Sequence, residues 1–113
     1  MKLSIDRVRD INVVRVAESR LMYPLLSDFS AAVVGLIGAG ETKVIVDLAP
    51  VVYIDSATIG CLMDLYRQVN AVGGVLKLSG VQKRVETMLS MTGAHNFLDI
   101  HADEAAAIKS FGG

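Results

Sequence analysis

A short apolar run followed by an apolar pattern at helical spacing constrains the fold of this chain most strongly. The run Val44–Leu48 has the length and β-branched content of a buried strand. Beyond Asp55 and Ser56, apolar residues recur every three or four positions, as on one face of a helix. They are Ile59, Leu62, Met63, Tyr66, Val69 and Val72. The sequence therefore predicts a strand, a corner and a long helix, in that order.

The corner contains Asp55 and Ser56, two residue types that are favoured at helix N-caps because their side-chain oxygens accept bonds from free backbone N–H groups. The N-terminus of a helix also favours anions through these N–H groups and the helix dipole. In open α/β sheets, function gathers where a strand ends and a helix begins. The Ser56 hydroxyl is therefore either a cap or a site for a phosphate, and the residues alone favour the cap.

The remaining pattern predicts alternating strands and helices. A hairpin opens the chain, with a strand containing Leu3, Ile5 and Val8, a turn at Asp10–Asn12 and a second strand at Val13–Val16. The next apolar stripe, Leu25 to Ile37, predicts a helix that ends at Gly38 and Gly40. Later strands are expected at Lys43–Leu48, Val75–Ser79 and Phe97–Ile100, and later helices to about Val72, over Val81–Met91 and over Glu104–Lys109. This order predicts one α/β domain over residues 1–113, in which about four helices cover a mixed, mostly parallel central sheet of about five strands.

The composition argues against several functional classes. A chain of 113 residues with 52% hydrophobic and 20% charged residues has room for one globular core. The net charge of -1 and the scattered basic residues argue against nucleic-acid binding. The single Cys61 cannot form an internal disulfide and fits a reducing compartment. No secretory signal or apolar run of about 20 residues is present, so we expect a cytoplasmic protein without direct membrane insertion.

Residues that would support catalysis or metal binding lack the necessary spacing. A hydrolase built on Ser56 would need a histidine held by an acid, but His95 and His101 are the only histidines and no Gly-x-Ser-x-Gly surrounds Ser56. The glycine cluster Gly35–Gly40 ends a helical stripe, whereas a nucleotide-binding loop follows a strand. The histidines and Cys61 do not have metal-ligand spacing. We therefore expect no enzymatic activity, cofactor or metal.

The segment Tyr53–Gly60 reads Tyr-Ile-Asp-Ser-Ala-Thr-Ile-Gly. It resembles the signature loop of STAS domains of the anti-sigma factor antagonist family, which often reads Asp-Ser-Ser/Ala-Gly-x-Gly. The similarity covers nearly the whole chain, including the strands on either side of the loop and the helix that ends at Gly93. Two features depart from the family pattern. Thr58 stands where a glycine is common, and Leu21–Pro24 lacks the acidic residue that many members carry before the first helix.

The resemblance implies a STAS fold and a role in bacterial partner switching. In that family, an ATP-binding anti-sigma kinase phosphorylates the serine that corresponds to Ser56. The unmodified protein would bind this serine-kinase anti-sigma factor and release the sigma factor. Phosphorylation of Ser56 would end the binding, and a serine phosphatase would restore it. The partner would supply ATP and Mg, so the chain would be a regulator without a cofactor of its own.

The resemblance also implies a partner-binding surface around the corner. Its members are Asp55, Ser56, Ala57 and Thr58, together with Leu21, Met22 and Tyr23. Asp55 either orients the serine, or helps accept a metal or proton during transfer on the partner, or supports the cap. Thr58 is a candidate second modified hydroxyl, although a first-turn threonine more often bonds to backbone.

An alternative function comes from another class. The chain would then be a constitutive STAS interaction or scaffold subunit of a transport or signalling assembly. Ser56 would in that case be a structural cap without phosphoswitching.

Overall fold

The computed structural model describes residues 1–112, which form a five-stranded sheet, a two-stranded ribbon and four α-helices. In chain order the strands are β1 Leu3–Val8, β2 Ile11–Val16, β3 Arg20–Leu21, β4 Lys43–Asp47, β5 Tyr53–Ile54, β6 Val75–Ser79 and β7 Asp99–Ile100. The α-helices are α1 Leu26–Gly38, α2 Ser56–Ala71, α3 Lys83–Met91 and α4 Glu104–Lys109. Short 3-10 helices span Tyr23–Leu25 and Ala94–Asn96.

The central sheet has the strand order β1-β2-β4-β6-β7. Strand β1 pairs antiparallel with β2, and the other neighbours are parallel. In the middle of the sheet, Val44, Ile45 and Val46 of β4 are fully buried, as expected for a strand that is covered on both faces. The predicted mixed, mostly parallel sheet with four helices is confirmed.

The two faces of the central sheet are covered unequally. Helices α1, α2 and α3 bury the main core on one face, which includes Phe29, Leu62 and Leu89. On the other face, Ala107 of α4 packs against a small cluster formed by Ile11, Val13 and Ile45. Since successive residues of a strand point to opposite faces, Val13 lies under α4 whereas Val14 belongs to the main core.

The first hairpin turns one residue earlier than the sequence pattern indicated. The turn residues are Arg9 and Asp10, and Arg9 adopts the left-handed conformation with a φ of 58°. The predicted turn at Asp10–Asn12 is therefore wrong, because Ile11 and Asn12 are buried members of β2. The polar side chain of Asn12 suggested a turn, but its backbone continues the strand.

Some helix and strand limits also differ from the prediction. Helix α2 ends at Ala71, and Val72 lies beyond it and is exposed. Leu65, which is not in the predicted apolar stripe, is buried in the core. The last strand spans only Asp99–Ile100 because the chain from residue 94 first forms a 3-10 turn that leaves Phe97 exposed. Helix α4 spans Glu104–Lys109 as predicted, and Asp103 caps it, since its Oδ1 accepts a bond from the Ala106 N–H.

Candidate functional site

The corner between β5 and α2 is capped by Asp55. Its backbone is extended, and its Oδ1 accepts a hydrogen bond of 2.9 Å from the Thr58 N–H. This is the geometry of an N-cap whose side chain satisfies a free donor of the first helical turn. Ser56 is the first helical residue, so the interpretation of Ser56 as the cap is wrong.

Ser56 is therefore available for other chemistry. It is exposed, as is the neighbouring Ala57, and both begin the first turn of α2. The side chain that caps α2 is the Asp55 carboxylate, one residue before Ser56. A hydroxyl that is exposed and not required for the cap can be modified without removing a contact on which the helix depends.

The segment before α1 lies directly beside this corner. Strands β3 and β5 pair in parallel, with Arg20 opposite Tyr53 and Leu21 opposite Ile54. One residue beyond the ribbon, the Tyr23 N–H donates a hydrogen bond of 2.9 Å to Asp55 Oδ2. The two oxygens of Asp55 thus hold two different parts of the chain, the first turn of α2 and the approach to α1.

Thr58 is an internal support of the corner. Its side chain is fully buried, and its Oγ1 lies 2.7 Å from the Leu21 carbonyl oxygen and 2.6 Å from Asp55 Oδ1. A hydroxyl has one proton, so it can donate to one of these acceptors at a time. Because this hydroxyl is buried, neither a partner nor a modifying enzyme can reach it in this conformation. Thr58 therefore does not fit the predicted roles of a contact residue or a second modified site.

The three predicted contact residues Leu21, Met22 and Tyr23 also differ in their exposure. Leu21 is fully buried in the main core, so its side chain cannot contribute to a docking surface in this conformation. Met22 is partly buried, whereas the Tyr23 side chain is 73% exposed. Pro24 follows in the 3-10 turn that leads into α1. Of the predicted contact residues, the structure presents Tyr23, Ser56 and Ala57 to solvent.

The electrostatics of the corner are dominated by an ionised carboxylate. Partial burial by itself would raise the pKa of the Asp55 carboxyl, but hydrogen bonds from the Thr58 hydroxyl and from the N–H groups of Tyr23 and Thr58 outweigh it and lower the pKa. Asp55 therefore carries a negative charge beside Ser56 at neutral pH. Nearby on the ribbon, the Arg20 guanidinium lies 5.5 Å from the centre of the Tyr53 ring.

The remaining candidate groups do not assemble a catalytic site with Ser56. His101 Nε2 lies 3.0 Å from Asp99 Oδ2 and 3.4 Å from Ser110 Oγ, so one ring nitrogen faces both neighbours and no relay is formed. Burial, followed by the nearby Asp64 charge, raises the pKa of the Cys61 thiol and disfavours the reactive thiolate.

Among residues 1–112, no group of three or more His, Cys, Asp or Glu side chains is placed to hold a metal ion, and no helix is long and apolar enough to cross a membrane. Helix α1 ends at Gly38, and Gly40 follows with a φ of 85°, so the glycine cluster terminates a helix as predicted.

Sequence reasoning missed the β3–β5 ribbon and the Tyr23–Asp55 bond. Two-residue strands have no periodicity, so neither half of the ribbon had a recognisable pattern. The sequence did contain a signal that Asp55, and not Ser56, is the N-cap of α2. A cap at Asp55 places Thr58 at the third helical position, which is where an N-cap carboxylate accepts its bond.

Comparison with known proteins identifies the fold family. A family model described as STAS domain matches residues 3–107. A Thermotoga neapolitana protein, named as a candidate anti-sigma factor antagonist and TM1081 homolog, is 30% identical over 74 residues. That alignment spans 66% of this chain and 66% of the relative, just under two thirds of either.

Solved structures share the fold over nearly the whole chain. A candidate anti-sigma factor antagonist from Thermotoga maritima superposes with a TM-score of 0.84 at 23% identity, covering 96% of this chain and 92% of the other. The Bacillus cell fate determinant SpoIIAA in its phosphorylated form gives a TM-score of 0.74 at 20% identity, covering 97% and 99%. A sulfate transporter family protein from Wolinella succinogenes gives 0.80 at 16% identity, covering 91% and 85%.

Proposed function

The chain belongs to the STAS domain family, and on that premise we propose that it is an anti-sigma factor antagonist switched by phosphorylation of Ser56. In the unmodified state it binds a serine-kinase anti-sigma factor and thereby releases the sigma factor. Phosphorylation by that kinase ends the binding, and a serine phosphatase restores it. The kinase supplies ATP and Mg, and the chain acts in the bacterial cytoplasm as a regulator and substrate, not as an enzyme.

The observation that carries this proposal is the exposure of Ser56 beside a cap that does not use it. Asp55 holds the first turn of α2 and Tyr23 through its two oxygens, so the corner keeps its shape whether Ser56 is free or modified. A kinase needs an accessible hydroxyl, and Ser56 is exposed. The resemblance of the loop to the family signature points to the same residue, and SpoIIAA, which shares the fold, is described in a phosphorylated form.

The charge added by phosphorylation explains why the fold would survive while binding would not. A phosphoserine adds about -1.5 to -2 charges, here next to the ionised Asp55. At an exposed helix N-terminus the dipole offsets only about 0.3–1 kcal/mol. In water the remaining repulsion is screened, so the helix persists. In an interface the dianion would have to lose its water beside a like charge, which opposes binding.

The docking surface we propose differs from the set predicted from the sequence. Ser56 and Ala57 contribute the start of α2, and the exposed Tyr23 ring contributes an apolar contact on the neighbouring segment. Asp55 and Thr58 position these residues from within. Exposed aromatic side chains held by a rigid backbone are typical anchors in protein interfaces.

Binding assays with charge variants test the proposal against the constitutive scaffold role. Tagged wild-type protein, Ser56→Ala and Ser56→Asp are used to capture partners from the native cells. Ser27→Asp serves as the matched control, because Ser27 is also exposed in the first turn of a helix and receives the same added charge. We expect an ATP-binding kinase to be retained by wild type, Ser56→Ala and Ser27→Asp and lost only with Ser56→Asp. Retention of the same partners by all four proteins would favour the scaffold.

A further inference from the structure

The second face of the central sheet is covered by one short helix within residues 1–112. Helix α4 and the turn that follows it, Glu104–Phe111, form what we call the C-terminal latch. Below the latch lie Ile11 and Val13 of β2 and Ile45 of β4, all three of them buried. These apolar side chains belong to two adjacent strands, β2 and the central β4, and form a cluster separate from the main core.

The latch is tied to the sheet at both ends by charged contacts. At its beginning, Glu104 Oε1 and Oε2 lie 2.5 Å and 3.3 Å from the two terminal nitrogens of Arg15. At its end, Lys77 Nζ lies 4.8 Å from the centre of the Phe111 ring. Between them, Ala107 is fully buried against the sheet.

Both cations keep a counter-ion when the latch is removed. Arg15 also contacts Asp6 at 2.5 Å and Asp47 at 3.0 Å, and these carboxylates belong to β1 and β4. Lys77 likewise contacts Asp99 of β7 at 2.5 Å. Breaking one side of a buried ion pair is costly when it leaves an unpaired charge. Since the sheet itself supplies partners for both cations, detachment of the latch leaves neither charge uncompensated.

One edge of the latch borders an open surface cleft. The cleft has a volume of about 470 Å³ and is lined by Val8 and Arg9 of the first hairpin and by Ala105, Ile108 and Lys109, although Val8 and Ile108 also pack against the cluster below the latch. The helix has six residues, and helices shorter than about 12–15 residues are marginal when isolated in water. Few buried contacts and a short, weakly packed helix are the features of a locally unstable unit.

We propose that the C-terminal latch opens as a unit and uncovers the strip formed by Ile11, Val13 and Ile45 while the sheet and helices α1 to α3 remain folded. The opened state presents an apolar surface on the face of the sheet opposite α2. It is therefore a conformational device separate from Ser56, and its test does not depend on partner switching.

A pair of adjacent cysteines in β2 tests the proposal. Val13 and Val14 are fully buried valines of one strand that point to opposite faces, Val13 under the latch and Val14 into the main core. Val13→Cys and Val14→Cys are made in a Cys61→Ser background and labelled with a thiol reagent in native buffer. Each labelling rate is compared with the rate expected from global unfolding of the same variant, measured by urea denaturation.

We expect Cys at position 13 to react at least about tenfold faster than its global unfolding allows, and Cys at position 14 to react only through global unfolding. Glu104→Gln weakens the contact with Arg15 and should speed labelling at position 13 roughly twofold to fivefold, with no effect at position 14. Glu86→Gln is the matched control for the loss of a carboxylate, because Glu86 is exposed on α3 and outside the latch and its ion pairs; it should leave the labelling at position 13 unchanged.

Labelling of both cysteines at their global-unfolding rates would overturn the proposal, as would equally fast labelling of both. Hydrogen exchange of the wild-type protein provides a second test that needs no substitution in the core. Amides from Ala106 to Phe111 should share one opening free energy that is lower than that of β4. A gradual increase in exchange from Ala106 towards Phe111 would indicate residue-by-residue fraying of the latch and would contradict opening as a unit.

Discussion

The Tyr23 N–H donates a hydrogen bond of 2.9 Å to the Asp55 carboxylate across 32 positions of sequence. The other oxygen of the same carboxylate caps α2. One side chain therefore fixes both the exposed Tyr23 and the exposed Ser56 relative to each other. Under the proposed function, Asp55 positions the residues of the recognition surface, and phosphorylation of Ser56 controls binding.

Replacement of Asp55 should destabilise the fold, whereas replacement of Ser56 should not. Asp55→Ala removes the α2 cap and the acceptor for the Tyr23 N–H, so we expect a loss of about 1–2 kcal/mol in the free energy of unfolding. Ser56→Ala is the neighbouring control and should stay within about 0.5 kcal/mol of wild type. Urea denaturation followed by circular dichroism measures both. An equal loss in the two variants would mean that Ser56 shares the structural role.

The contribution of Asp55 should disappear in acid. Its pKa is lowered in the folded protein, so the carboxylate stabilises the fold above the unfolded value of about 3.9, and this stabilisation is lost as the pH falls through the lower folded value. Asp55→Asn lacks this titration. The difference in unfolding free energy between wild type and Asp55→Asn should be largest at pH 6–7 and should shrink below about pH 4. A difference that is constant from pH 7 to pH 3 would contradict the assignment.

Thr58 should behave as a buried hydrogen-bond donor. Thr58→Val keeps the shape of the side chain but removes the hydroxyl proton that the Leu21 carbonyl and Asp55 Oδ1 share, which should cost about 1–3 kcal/mol. Thr58→Ser keeps the hydroxyl and loses one methyl group, so we expect a smaller loss of about 1 kcal/mol. The midpoints of urea denaturation of the two variants measure the difference in their stability. Greater stability of Thr58→Val than of Thr58→Ser would show that the hydroxyl is dispensable.

Two glycines should respond oppositely to alanine. Gly80 has a φ of 67°, and a Cβ there would lie 2.9 Å from the Ala49 Cβ, so Gly80→Ala should destabilise the protein by more than about 1 kcal/mol. Gly60 lies in α2, and a Cβ there would meet nothing within 4 Å. Gly60→Ala should therefore stabilise the protein by about 0.5–1 kcal/mol. Thermal unfolding of the two variants measures the sign of each change in stability relative to wild type. Changes of the same sign in both variants would contradict these backbone arguments.

The fold could be predicted largely from the sequence because its long elements carry strong periodicity. Val44–Val46 mark the central strand, and Leu62 and Val69 mark the buried face of α2. The corner could be predicted only in part, because its geometry depends on pairing between distant short segments. The burial of Leu21 and Thr58 follows from the β3–β5 ribbon, which no local pattern encodes.

Phosphopeptide mapping of the protein purified from its native cells tests the central claim most directly. The protein is separated into the fraction bound to the proposed kinase and the free fraction, and each is digested and mapped. We predict phosphate on Ser56 in the free fraction, none on Ser56 in the bound fraction and none on the buried Thr58 in either. Absence of phosphate from Ser56 in the free fraction, or equal phosphorylation of Ser56 in both fractions, would contradict the switch.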